Sequence, residues 1–423
     1  MATWPSGKAE ACKAFTPSSN LGVASNAALK REYADMAQLV EHHLAKVGVA
    51  GSNPVVRSMN SARPVMLSMV GLFSLRKGGC MAHDIAGASR ARADALRRIA
   101  VIANPVAKSG AGARIAERVV AVLASDFGSS SQPHDSDLAL DVLLTERPRH
   151  AQELAASLPA EVDLVIAVGG DGLIHEIVNG LMTRPVAARP VLGVVPAGSG
   201  DDYAATLCMP SDPARAVAEI MAQHVVEADA GCVNGEYFAE TLSFGLDAAI
   251  ALDTVERRAR TGGSGTPLYM ASGFDQFLHH FDLTPFEAKL SGVPAVGGEG
   301  VPSAAGTLSL TGSSYLFAVQ VGPTYGGHFK VCPDARIDDG LFDICIAHPP
   351  LSRPQAIGIF LLAKGGRHTR FKQLSFHRAS RVEVTFAHPL AVQADGERIE
   401  GTSFVVETVP HALRVAVGSR YRR

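Results

Sequence analysis

The sequence predicts an α/β chain: an open sheet of parallel strands over about residues 98–224, then a β-rich remainder. Two observations predict the first part. Short apolar runs of strand length end at glycine-bearing loops, and apolar residues at helical spacing follow each loop. One observation predicts the second part. From Glu227 onward the runs become short and alternating, at 308–319, 342–347, 382–386 and 404–409.

Residues 99–103 form the first apolar run, and Asn104-Pro105 stop it before Lys108, Ser109, Gly110, Ala111 and Gly112. Ile115, Val119, Val122 and Leu123 then recur with the stripe of a helix packed on a sheet. Residues 140–144 read as a strand ended by Thr145, and 150–158 resume helical spacing. The run 162–168 is apolar except for Asp163, as in a strand covered on both faces. It leads into Gly169, Gly170, Asp171 and Gly172, after which Ile174, Ile177, Val178 and Leu181 mark a helix. Residues 191–195 give another strand, which ends at PAGSGDD. Asp212-Pro213, an N-cap and a first-turn proline, opens a helix to about residue 223. In the second half, helices are expected at 253–260, 269–280 and 354–363, and a glycine- and proline-rich loop at 291–305.

Bulk properties exclude several function classes. The 423 residues allow two or three domains. With 39 basic and 41 acidic residues the net charge is -2, so no global field draws in nucleic acid. The six cysteines show no metal-ligand spacing and read as free thiols in a reducing cytoplasm. The strongest apolar stretch, 65–75, is about half of the ~20 residues a membrane-spanning helix needs, so no integral membrane segment is expected. Residues 1–95 hold no lasting period and read as a poorly structured extension. The segments 4–26 and 36–58 resemble peptides translated from transfer-RNA genes. On that reading the true start is expected downstream, at Met59, Met66, Met69 or Met81, with Met81 favoured; the alternative reading is a genuine disordered tail.

The glycine loops suggest phosphate. Glycine lets backbone N–H groups approach an anion, and each following helix presents its positive end to the same place. A carboxylate such as Asp171 inside such a loop is unfavourable unless it orients Mg or a hydroxyl; the plainer reading makes it a helix cap. The late Asp395-Gly396 pair is likewise a strong hairpin signal taken alone.

Six segments in order resemble the diacylglycerol kinase catalytic domain family, which includes bacterial lipid kinases and the sphingosine and ceramide kinases. They are NPVAKSGAG at 104–112, GGDGLIHEIVNGL at 169–181, PAGSGDDYA at 196–204, FGLDA at 244–248, DDGLFDI at 338–344 and DGE at 395–397. The resemblance spans about residues 98–418. It implies an ATP-binding α/β domain over 96–226 and a β-sandwich-like lipid kinase domain over 227–418. It carries Asn104, Ser109, Thr145, Gly169, Gly170, Asp171, Gly172, Leu173, Ile174, His175 and Ser199 over as nucleotide-site residues. Glu397 matches the family's general base, with Asp171 beside it in catalysis. Asp339, with the carbonyls of Arg336 and Leu341, matches a structural Mg site. Leu173 stands where the family usually has threonine, and Asp201 where it has asparagine. Residues 322–330 are a candidate border of the acceptor cleft.

The implied activity is transfer of the γ-phosphate of ATP, with Mg, to a lipid hydroxyl, diacylglycerol or a related lipid. The implied setting is cytoplasmic, with transient visits to the membrane surface and a homodimer allowed. The competing readings are a kinase acting on a soluble acceptor, as NAD kinases share GGDG, and a nucleotide-binding protein that has lost transfer.

Overall fold

The computed structural model describes residues 68–69, 96–127, 139–263, 266–294 and 306–422. Of the poorly structured extension expected over 1–95, residues 68–69 are described as a two-residue strand antiparallel to Leu140 and Asp141, and the rest up to 95 lies outside the described residues; so does most of the 291–305 loop, whose first residues belong to a strand.

The parallel half comprises β1 (Arg98–Ala103), α1 (Gly112–Val122), β2 (Ala139–Leu144), α2 (His150–Ala156), β3 (Leu164–Gly169), α3 (Asp171–Met182), β4 (Val191–Pro196), α4 (Asp202–Thr206) and α5 (Pro213–Met221). The strands run parallel in the order β2-β1-β3-β4. β3 and β4 are buried at every residue, which is why their sequences are continuous apolar runs rather than alternating ones. The chain leaves β1 for β2 on one side and returns to β3 on the other. That reversal makes the crevice at the carboxyl ends of β1 and β3 a topological switch point, where open sheets bind ligands. The Asp212 side chain accepts the Arg215 N–H (3.0 Å) and caps α5 as its sequence predicts.

The remainder comprises β5 (Val225–Val233), β6 (Glu236–Phe238), β7 (Thr241–Gly245), α6 (Leu246–Thr261), α7 (Thr266–His279), β8 (Thr284–Val293), β9 (Gly306–Ser314), β10 (Leu316–Gln320), β11 (Phe342–Ala347), α8 (Arg353–Ala363), β12 (Leu374–Ala379), β13 (Arg381–Phe386), β14 (Val392–Ala394), β15 (Glu397–Arg398) and β16 (Ser403–Ala416). α6 begins earlier than the apolar pattern indicates. Gly245, at φ 86°, turns the chain from β7 straight into the helix, a conformation that favours glycine.

β12-β11-β10-β7-β14-β15 form one antiparallel sheet. The other β-strands extend the parallel sheet. β16 pairs in parallel with β4 through Val415 and Leu192, and antiparallel with β13 and β5, giving the order β4-β16-β13-β8-β9. The two halves thus share one sheet, which the change of sequence texture at Glu227 does not reveal. The sheets pack through aromatic rings. Phe244 on β7 lies 5.1 Å from both Phe386 on β13 and Phe404 on β16, and meets Phe317 edge-on at 5.9 Å.

Phe244 is fully buried among those rings. Phe244→Ala should lower the unfolding free energy by ~3–5 kcal/mol in denaturant titration; a loss below about 1 kcal/mol would mean the sheets repack without it.

Candidate active site

The parallel strands deliver their loops to one edge. Asn104 follows β1, Thr145 follows β2, Gly169 ends β3, and Ala197 follows β4. The Asn104 N–H donates to the Val168 carbonyl (3.1 Å), and Ala197 N–H to that of Gly169 (2.9 Å), so adjacent loops are tied together. The Asn104 side chain accepts the Val106 N–H (3.1 Å) and shapes its own loop. Where a glycine-bearing loop is expected at 108–112, the chain makes one helical turn, Ala107–Gly110, which contains Ser109. Gly112 then starts α1; a Cβ there would lie 2.1 Å from the Asn104 carbonyl oxygen.

Two glycine loops touch backbone to backbone. A Cβ on Gly198 would lie 2.4 Å from the Gly170 Cα, so side chains on either residue would force the loops apart. α3 begins inside the motif, with Gly170 as its cap residue and Asp171 and Gly172 in its first turn. The amides that open a helix have no acceptor within it and face an anion readily. Leu173, Ile174 and His175 are buried, and Leu173 packs on Gly169, where a Cβ would meet its Cδ2 at 2.4 Å. From this stretch, only backbone and Asp171 are left to meet a ligand. Ser199 sits half-buried in the crossing loop, and Thr145 is buried.

Asp171 does not cap its helix; its carboxylate accepts the Tyr203 N–H (3.1 Å). Burial, and then the charge of Asp202, push its pKa up to about 8. The Asp202 carboxylate accepts the N–H groups of Gly327 (2.9 Å) and His328 (2.5 Å), and burial raises its pKa also. A Cβ on Gly200 would lie 2.9 Å from Asp171 Oδ2 and 3.0 Å from Asp202 Oδ2, so the two acids converge on one point. Sequence reading missed Asp202, although the doubled Asp201-Asp202 carried the signal. Asp201 takes a positive φ of 55° and accepts the Gly198 N–H (2.7 Å), so its charge shapes the loop from within.

Asp395 and Gly396 form the turn of a hairpin between β14 and β15, at φ 49° and 94°. The Asp395 carboxylate accepts the N–H groups of Ala239 (2.7 Å), Glu240 (3.0 Å) and Thr241 (3.0 Å). It also lies 3.3 Å from His175 Nδ1, while His175 Nε2 lies 3.1 Å from Glu236. Burial pulls the imidazole pKa down, but the hydrogen bonds to Asp395 and Glu236 outweigh it and raise it to about 9. The ring is thus an imidazolium donating to both carboxylates, 3 % exposed. This clamp joins α3 to the hairpin. It leaves Glu397 exposed, with Oε1 3.9 Å from the position a Cβ on Gly172 would occupy. Nearby, Glu240 is buried with Oε1 accepting the Thr206 hydroxyl (2.5 Å), and burial holds its pKa well above the usual range.

Comparison with known proteins identifies this arrangement. The diacylglycerol kinase catalytic domain matches residues 98–233, and the YegS C-terminal NAD kinase beta sandwich-like domain matches 241–417. The chain belongs to the diacylglycerol kinase catalytic domain family. A protein of Bacillus subtilis named diacylglycerol kinase is 29% identical over 306 residues, 71% of this chain and 90% of that protein. One of Staphylococcus epidermidis, of the same name, is 27% identical over 245 residues, 58% of this chain and 71% of its own length. A crystal structure of a diacylglycerol kinase from Bacillus anthracis shares the fold, with TM-score 0.57 at 19% identity, over 78% of this chain and 99% of that one. Membership makes the chain a kinase of this family, with the two-part α/β and β-sandwich-like architecture that the sequence predicts. Among the described residues no helix is long and apolar enough to cross a membrane.

The residues that the resemblance assigns to a structural Mg site are otherwise engaged. The Asp339 carboxylate pairs with the Arg378 guanidinium and accepts the Leu341 N–H (3.1 Å). Arg378 also lies 3.5 Å from Asp343. The guanidinium stands where a cation's charge would be needed. No group of three potential ligand side chains occurs among the described residues. As placed, Asp339 with the carbonyls of Arg336 and Leu341 does not fit a resident ion. A groove of ≈ 620 Å³ at the amino ends of β3 and β4, lined by Asp163, Arg189, Val191 and Arg414, holds none of the clustered acids.

Two outcomes follow from this geometry. The His175 pKa is raised on folding, so its stabilisation is complete below about pH 6.5 and is lost as pH rises through about 9. Unfolding free energy should fall by on the order of 3 kcal/mol across that window, and His175→Gln should flatten the profile; equal profiles for the two proteins would exclude the clamp. Removing divalent ions with EDTA, without nucleotide, should leave Tm unchanged, and a drop of several degrees would return Asp339 to the role of metal ligand.

Proposed function

We propose that this chain transfers the γ-phosphoryl group of MgATP to the hydroxyl of a lipid, diacylglycerol or a lipid of that class. The observation that carries this reading is the Glu397 carboxylate beside Gly172, at the first turn of α3 and next to the convergent acids. In this reading the nucleotide lies along the switch-point edge. Asn104, Ser109, Thr145, the backbone of Gly169 to Gly172, and Ser199 line it, and the α3 amides face its phosphates. Asp171 and Asp202 resist ionisation in the absence of a cation, and the Mg that accompanies ATP makes their charged forms favourable.

A lipid hydroxyl is a weak nucleophile. Glu397 takes its proton as the hydroxyl oxygen bonds to the γ-phosphorus, the bond from that phosphorus to the β–γ bridging oxygen breaks, and ADP leaves. Being exposed, Glu397 can meet an acceptor that arrives from outside the fold. The lipid character of the acceptor is supported by the names of the relatives. A cytoplasmic enzyme that visits the membrane surface suits such a substrate.

The test follows labelled γ-phosphate from MgATP into a panel of lipids, with NAD as a soluble acceptor beside them. Label should enter one lipid class, and Glu397→Gln should lower the rate ~100-fold or more while leaving nucleotide binding intact. Label in NAD alone would replace the lipid reading, and ATP binding with no transfer to any acceptor would make this a lapsed kinase.

A further inference from the structure

Exposed large apolar side chains are concentrated in one region. Among the described residues, Val255, Phe274, Leu278, Leu283 and Leu361 all lie on α6, α7 and α8 or in the turn after α7. α7 packs Tyr269 and Phe277 into the fold, but its outer face is unusual for a surface helix. It buries Ser272 and Gln276 yet exposes Phe274 (40%) and Leu278 (59%), which share one stripe at i and i+4. α8 carries no charged residue between Gln355 and Ala363, and exposes Leu361 (48%). An apolar helix of this kind is ordinarily buried or in contact with lipid. The two helices abut: a Cβ on Gly273 would lie 2.9 Å from the Phe360 ring, so Phe274 and Leu361 flank one seam.

The surroundings are cationic. Arg258 and Arg260 on α6, and Arg367, Arg370 and Lys372 after α8, are exposed and make no ion pair among the described residues. Asp247 of α6 is buried, and the acids these helices show to the surface are already matched. Asp253 and Asp275 both bind Arg257, and Glu256 binds Arg398 (3.2 Å). Asp282, in the turn after α7, is the exception. An apolar centre with a basic surround complements an anionic bilayer: side chains enter the acyl boundary and cations meet the headgroups.

The region also adjoins the candidate site. The Tyr269 ring of α7 lies on Gly326, where a Cβ would be 2.3 Å from it, and the next residue, Gly327, holds Asp202. On the other side, Arg398, the residue after Glu397, donates to Glu256 of α6.

We propose that the outer surface of α7 and α8 docks on an anionic lipid bilayer, with Phe274, Leu278 and Leu361 inserted and the flanking arginines and Lys372 on the headgroups. This rests on the lipid-kinase reading for the reason a bilayer is met at all.

The experiment is co-sedimentation of the full chain with vesicles of phosphatidylcholine alone and of phosphatidylcholine mixed equally with phosphatidylglycerol. Binding is expected to the mixed vesicles and to weaken with salt. Phe274→Ser and Leu278→Ser should each reduce partitioning about tenfold, and Leu361→Ser should act alike, whereas Val186→Ser, exposed elsewhere, should not. Unchanged circular dichroism, and unchanged phosphorylation of a monomeric short-chain diacylglycerol, would mark the variants as folded. Should a serine variant unfold, the Arg258→Ser, Arg260→Ser pair tests the same surface through its charge. Transfer to the short-chain lipid with no vesicle binding would overturn the docking surface and leave the kinase reading standing. Vesicle binding by this face without transfer to any lipid would do the reverse. A dimer in lipid-free ultracentrifugation that the same substitutions dissociate would assign the face to a second copy of the chain and overturn the proposal.

Discussion

The candidate site depends on the hydrogen bonds gathered by the Asp395 carboxylate. Three consecutive backbone N–H groups, of Ala239, Glu240 and Thr241, and the His175 imidazolium converge on it. Charge-assisted bonds in a buried setting are among the stronger polar interactions available to a protein. Asp395 and Glu397 flank Gly396 in a tight hairpin turn, so fixing the first carboxylate fixes the backbone that carries the second. His175 follows Gly172 by one turn of α3. A short closed circuit of Gly172, His175, Asp395 and Glu397 thus sets the distance between the glycine loop and the exposed carboxylate, and rigid-body movement between the two halves would break it.

A second constraint acts on charge. The edge that suits anions through its helix amides also holds Asp171, Asp201 and Asp202. Each is quieted by backbone N–H groups, from Tyr203, from Gly198, and from Gly327 and His328. Burial raises the pKa of all three. Around Asp339 and Asp343 the opposite solution appears, with a guanidinium supplied by the chain itself.

The parallel half was legible in the sequence because its strands are buried on both faces and its loops are punctuated by glycine and proline. The cap at Asp212 was legible for a similar reason, since it is a local bond between near neighbours. What escaped depends on distant partners. Glu236 and Asp395 lie 61 and 220 residues from His175, so nothing beside that histidine marks it as a clamp, and its motif position pointed to the nucleotide instead. At DGE, the hairpin reading describes Asp395 and Gly396, and the same turn brings Glu397 to Gly172; the two readings concern different residues of one motif. α7 misleads a burial rule in both directions, by hiding serine and glutamine and showing phenylalanine and leucine.

β16 has a consequence for how the chain acquires its structure. The edge of β4 is completed by a strand more than two hundred residues later in sequence, through Leu192 and Val415. During synthesis the parallel half would emerge with that apolar edge unpaired, and an unpaired edge is a template for wrong partners. Pairings of such sequence separation form slowly, because loop closure precedes any reward. The sheet that joins the two halves is therefore closed only once residues 403–416 have been made.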